Sequence, residues 1–173
     1  MSGHRALTSL VLLAVLPVLF GGPAPAPAAT YTWEGDDDGL WVTDANWTTG
    51  TEPTADDEAL FDPVTSFTDA VVNLAPGAEP VPTAGTVTFA NVSDFTDEQF
   101  DIGNGTLQLD VTSGNAVIRQ TSADSASATS TISGQIVTPD GDAVVLDVDA
   151  GTLVLSGRLG SDTETFTVAA PAA

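Results

Sequence analysis

Residues 151–155 read GTLVL, and the same opening recurs as GTLQL at 105–109 and GTVTF at 85–89, with ATSTISG at 128–134 between GTLQL and GTLVL. Counted on the threonines, Thr86, Thr106, Thr129 and Thr152 lie 20, 23 and 23 residues apart. A short alternating strand recurring at this period predicts the coils of a parallel β-solenoid, because a unit that cannot bury its apolar face alone buries it against its neighbours. The expected architecture is all-β, a short right-handed parallel β-helix. An antiparallel β-sandwich has similar strand spacing and is the alternative.

The surrounding sequence alternates in the same way. Ala70, Val72 and Leu74 share one face, as do Leu107, Leu109 and Val111, then Ile132, Gly134 and Ile136. Val144, Leu146 and Val148 face one way with Asp147 and Asp149 on the other; Leu153, Leu155 and Leu159 follow, and Phe166 and Val168 come last. Period-2 alternation marks half-buried strands. Asn104-Gly105, Pro139-Asp140-Gly141 and Ala150-Gly151 punctuate them as turns, and SADSASATS (122–130) reads as a polar loop.

The first 29 residues read as a leader. His4 and Arg5 precede an uncharged apolar run, Ala6 to Phe20, broken by Gly21-Gly22-Pro23 and followed by small residues to Ala29. That is the pattern of a secretory signal peptide, with the cut after Ala28 and Ala26 three places before the bond. The run holds 15 residues and contains Pro17, against about 20 for a spanning helix. No membrane span is expected after cleavage. Export predicts a secreted, extracellular or cell-surface chain, with the periplasm as the alternative. The exported part divides into a Trp-rich cap segment, 30–62, and a strand-repeat region, 63–173.

Charge and composition exclude whole classes of chemistry. The chain carries 24 acidic residues and a formal net charge of −21. Beyond the leader only Arg119 and Arg158 are cationic, so a nucleic-acid partner is excluded on electrostatic grounds. The same region has no His, Cys, Lys or Met. Histidine-assisted nucleophilic catalysis, Schiff-base chemistry and His- or Cys-bound zinc are therefore ruled out there. Carboxylates remain. Asp147 and Asp149, two apart on a predicted strand, are a candidate acid–base pair, and Asp140 and Asp142 lie in a turn. Solvated aspartates on an outward face are the simpler explanation. Asp36, Asp37, Asp38, Asp56 and Asp57 are candidate calcium ligands, without EF-hand or nonapeptide spacing. No other cofactor is implied. Asn46-Trp47-Thr48, Asn91-Val92-Ser93 and Asn104-Gly105-Thr106 match the N-glycosylation triplet.

Three tryptophans, Trp33, Trp41 and Trp47, stand in one stretch, YTWEGDDDGLWVTDANWTTGTEPTADDEALFD (31–62). Its pattern is W-x-G, then G-x-W-x(5)-W, then a proline, an acidic pair and Ala-Leu-Phe-Asp. Carried by Trp33, Gly35, Gly39, Trp41, Asn46, Trp47, Pro53, Asp57, Ala59 and Phe61, it resembles the N-terminal segment of bacterial proteins with autotransporter-associated β-strand repeats. TVTFANV (86–92) looks like that family's first coil, and GTLVLSG (151–157) with TETFTV (163–168) like its repeat. The loop after the strand departs from the family's Asn-Thr-Tyr-Thr-Gly, reading Arg158-Leu-Gly-Ser-Asp-Thr. The resemblance implies a β-helical, surface-located chain and supplies no catalytic residue.

Three functions follow as expectations. The leading one is a non-enzymatic extracellular solenoid, a structural or adhesive module whose partner is a surface polysaccharide or protein. The second is a carbohydrate-binding module that stacks sugars on Trp33, Trp41 and Trp47. The third is a polysaccharide-cleaving enzyme built on Asp147 and Asp149. An open solenoid end exposes unpaired edges and apolar core, so it needs a cap. The tryptophans, with Leu60 and Phe61, are accordingly expected to be buried against the first coil near Val72, Val87 and Phe89.

Overall fold

The computed structural model describes residues 28–35, 38–62, 70–91, 99–122, 129–160 and 167–169. The strands are β1 (Thr30–Thr32), β2 (Glu58–Phe61), β3 (Ala70–Asn73), β4 (Thr83–Ala84), β5 (Thr86–Asn91), β6 (Gln99–Gly103) and β7 (Thr106–Leu109). They continue with β8 (Ala116–Ser122), β9 (Thr129–Ile132), β10 (Gln135–Val137), β11 (Ala143–Val148), β12 (Thr152–Leu155) and β13 (Thr167–Ala169). A 3-10 turn covers Asp44–Asn46.

All ten pairings between these strands are parallel. The chain visits three faces in rotation. The first holds β1-β2-β5-β8-β11-β13, the second β3-β6-β9-β12 and the third β4-β7-β10. The result is a β-solenoid of about 3 turns. An antiparallel sandwich is excluded by the parallel pairing.

Register shows what each turn contributes. On the first face Ala59, Val87, Ile118 and Leu146 stack inward, and beside them Phe61, Phe89, Gln120 and Val148. On the second face Val72, Ile102, Ile132 and Leu155 form one inward column, and Phe100, Ser130 and Leu153 another. The third face adds Ala84 over Leu109, and Leu107, Ile136 and Leu159. Burial weakens toward the last turn. Val87, Ile102, Leu107 and Ile118 are fully buried, Leu146, Leu153 and Leu155 are half-buried, and Val148 and Leu159 are 45% and 41% exposed.

The recurring Gly-Thr openings do not mark equivalent places. Thr86 starts a first-face strand, Thr106 a third-face strand, and Thr129 and Thr152 second-face strands. Only Thr129 and Thr152 are in register. Each turn therefore comprises three short strands, one per face. A Gly-Thr opening reports only that a strand leaves a corner, and every turn has several corners. The solenoid also starts earlier than 63. β2 lies within the segment read as cap, yet it pairs with β5 as an ordinary rung, with Ala59 and Phe61 inward. Phe166 and most of the 122–130 loop lie outside the described residues.

Candidate functional site

The tryptophan cluster closes the N-terminal end. β1 adds a rung beside β2 on the first face. Over the second face, Trp41 N–H donates to the Asn73 carbonyl at 3.0 Å and Asn73 N–H to the Gly39 carbonyl at 2.9 Å, so residues 39–41 cover the free edge of β3. Trp33 and Trp47 form an antiparallel bridge, which brings the two ends of the cap together. Gly35 follows two residues after Trp33 at φ 62°, and a Cβ there would lie 2.8 Å from the Trp33 indole nitrogen. The W-x-G spacing thus serves a left-handed turn folded tightly on its own indole.

The indoles point inward. Trp33, Trp41 and Trp47 are 6%, 0% and 1% exposed. Trp47 meets Trp33 and Trp41 edge-on at 5.0 and 4.9 Å between ring centroids, and all three contact Phe61 at 5.9–6.0 Å. Phe61 passes the aromatic packing on to Phe89 and Phe100, each 5.5 Å away. Such pairs contribute about 0.5–1.5 kcal/mol each beyond area burial. Trp47 Nε1 donates to the Trp41 carbonyl at 2.8 Å, whereas Trp41 Nε1 is buried without a partner among the described residues. Val72 and Val87 belong to the same core cluster. None of the three indoles presents a face to solvent, so the stacking surface expected for sugar does not form from them.

The candidate calcium ligands are drawn into the fold's own contacts. Asp38 Oδ1 accepts from Leu40 N–H and Asn46 Nδ2, both at 2.9 Å, and Oδ2 from the Thr43 hydroxyl at 3.0 Å. The Leu40 N–H first, then these side chains, hold its carboxyl below the usual range against an opposing effect of burial. Asp56 sits at φ 67°, its N–H on the Asp110 carbonyl, and its carboxylate accepts both the hydroxyl and the N–H of Thr112. Those two donors, the hydroxyl foremost, lower its pKa. Asp57 Oδ2 accepts from Thr54 N–H and hydroxyl, and Oδ1 from Ala29 N–H. Asp36 and Asp37 lie outside the described residues. Among the described residues no three of His, Cys, Asp and Glu converge as metal ligands would.

Asp147 lies on the outward row of β11, where Oδ2 pairs with Arg119 Nε at 3.0 Å across to β8. Asp149 lies past the end of that strand and is exposed, its N–H bonded to the Gln120 carbonyl. The two carboxylates therefore do not share a strand row, which corrects the expectation that they do: β11 ends at Val148, ahead of the Ala150-Gly151 turn. Asp140 is exposed, and Asp142 is half-buried with Oδ2 unpartnered among the described residues.

The glycosylation triplets differ in access. Asn46 is fully buried, its amide donating to Asp38 and to the Leu40 carbonyl. Asn104 is exposed, its amide donating to Asn73 Oδ1 at 3.0 Å. Of the Asn91 triplet, Val92 and Ser93 lie outside the described residues.

Several polar groups escape a sequence reading. Gln120 and Ser130 are fully buried with no partner among the described residues for the amide or the hydroxyl. Glu52 keeps Oε2 buried and unpartnered; burial first, then the nearby Asp44, raises its pKa. Burial alone raises that of Asp62. The inward register of Gln120, two places after Ile118, was the available signal.

Among the described residues no helix is long and apolar enough to cross a membrane. No protein-family model, no curated protein and no solved structure matches this chain.

Proposed function

We propose that the chain is a secreted, non-enzymatic β-solenoid, a structural or adhesive module of the cell exterior. The observation that carries this reading is the sealed N-terminal end, where the three buried indoles pack on Phe61 of the first turn and the carboxylates of Asp38 and Asp57 are taken up by hydrogen bonds within the cap segment. Two further features support it. Beyond the leader there is no His, Cys or Lys, and Asp147 is paired with Arg119. Export rests on the leader, and the repeat resemblance accords with a surface location.

The test has two arms. Residues 1–29 fused to a reporter enzyme active only after export should direct it out of the cytosol; a reporter retained inside would sink the secretion reading. The purified chain, incubated with neutral and acidic polysaccharides with and without calcium, should release no new reducing ends. Release that disappears in an Asp147→Asn/Asp149→Asn double variant would instead establish an enzyme.

A further inference from the structure

We infer that removal of the leader creates an ion pair between the new α-ammonium of Ala29 and the carboxylate of Asp57, fastening the start of the exported chain to the first turn of the solenoid. The inference rests on the export reading above, and its test separates the two.

Among the described residues, Ala29 is where the chain joins the fold. Its N–H donates to Asp57 Oδ1 at 3.1 Å, and its carbonyl accepts from Glu58 N–H at 2.8 Å. β1 begins at the next residue, with Thr30 in register with Glu58 and its hydroxyl on Glu58 Oε2 at 2.9 Å. Ala28 and Ala29 are both exposed, so the bond between them is accessible. The cut read from the small-residue pattern and the first fold contact among the described residues therefore fall at the same residue.

The chemistry of the cut changes that contact. A signal peptidase hydrolyses the Ala28–Ala29 amide with one water. The Ala28 carbonyl leaves with the leader as a carboxylate, and the Ala29 nitrogen becomes an amine, protonated at neutral pH because its ordinary pKa is about 7.7–8.0. The atom already within hydrogen-bond reach of Asp57 then carries a positive charge, and a charge-assisted bond is roughly twice as strong as a neutral one. Asp57 is fixed for this role. Thr54 occupies Oδ2 through its N–H at 3.0 Å and its hydroxyl at 2.7 Å, and Oδ1 is left toward Ala29. The acidic group at the new amine is Asp57; the Glu58 carboxylate accepts from the Thr30 and Thr88 hydroxyls, and the Asp56 carboxylate is turned to Thr112. A chain that keeps even one leader residue presents only a neutral amide here.

N-terminal sequencing of the exported protein should give Ala29; any other start overturns the boundary on which the pair depends. The pair itself is tested on the chain from Ala29, which contains every described strand. Four forms are denatured at low salt: free or acetylated amine, each with Asp57 or Asp57→Asn. Asp57→Asn should raise the unfolding constant about two- to fivefold more in the free-amine form than in the acetylated one. An equal effect in both overturns the ion pair and leaves the export reading standing. A second measurement needs no variant. The α-amine, titrated by NMR in the unaltered chain, should show a raised pKa, its stabilisation present below the ordinary value and lost as pH rises through the raised one. An unshifted amine overturns the proposal.

Discussion

Phe89 and Gln120 occupy the same inward place on successive turns of the first face. On the second face, Phe100 and Ser130 do the same. The Phe89 and Phe100 rings lie 6.1 Å apart across the interior, so Gln120 and Ser130 stand in the corresponding layer of the next turn. At this layer the aromatic core ends and a polar one replaces it, without hydrogen-bond partners for either side chain among the described residues. A buried amide left unpartnered costs about 1–3 kcal/mol. Gln120→Met keeps the length and removes the polar atoms. It should stabilise the chain by about 1–2 kcal/mol in urea denaturation, and a loss of stability would show that the amide has a partner.

Two of the three buried cap indoles, Trp47 and Trp41, should respond differently to losing the ring nitrogen. Trp47→Phe strips the donor from the Trp41 carbonyl, whereas Trp41→Phe removes a nitrogen that has no partner among the described residues. The first should cost about 1–3 kcal/mol more than the second by denaturation. Equal costs would mean that ring volume alone matters. Both variants should keep their remaining indoles shielded from acrylamide.

Alternation on one strand is a local property, which is why β7, β11 and β12 were legible: Leu107 with Leu109, Val144 with Leu146, Leu153 with Leu155. Assignment to a face is not local. Thr86, Thr106 and Thr152 open look-alike strands on three different faces because the corner geometry between them leaves no mark in those residues. β8 escaped because its inward places hold Ala116, Ile118 and Gln120, of which only one is large and apolar. The cap was legible as a need, from three tryptophans ahead of the first coil. Its fastening was not, because Asp56 meets Thr112 and Asp57 meets Ala29 across long stretches of chain.

Acid should act on the cap through two groups of opposite sign. Asp38 has its pKa lowered by the Leu40 N–H and the Thr43 and Asn46 side chains. Its stabilisation is present above the unfolded value and lost as pH falls through the folded one. Glu52 has its pKa raised by burial and by Asp44. Its ionised form opposes folding at neutral pH, and stability returns as pH falls through the raised value. Glu52→Gln should therefore stabilise the chain at pH 7 and lose that advantage near pH 4. Asp38→Asn should destabilise at pH 7 and flatten the acid limb. Melting curves from pH 3 to 7 check both, and parallel profiles for the two variants would refute the assignment.

The Arg119–Asp147 pair spans neighbouring rungs with side chains 40% and 27% exposed. A pair this accessible is worth no more than about 1 kcal/mol. Arg119→Ala and Asp147→Asn should each lower stability by less than that, and the difference from the parent chain should shrink in 1 M salt as screening shortens the interaction range. A larger, salt-insensitive loss would mean that Arg119 supports the sheet by packing rather than charge.

The last turn is seated by close backbone approach. Gly134 and Gly157 lie at matching corners, where Ser156 N–H and Gly157 N–H both reach the Ile132 carbonyl, at 3.0 and 3.3 Å. A Cβ on Gly157 would collide with the Gly134 carbonyl oxygen and carbon. These are backbone atoms that cannot turn aside, so β12 would have to lift from β9. The inward residues there, Leu153 and Leu155, are only half-buried, and they offer less packing to resist than Val72 or Ile102 do deeper in the same face. Gly157→Ala should cost about 2–3 kcal/mol. The damage should be local: amide exchange should speed up across β12 while β5 and the tryptophan cap keep their protection. Acceleration spread evenly through the first two turns would show that the solenoid unfolds as one unit and that its C-terminal turn is no weaker than its capped end.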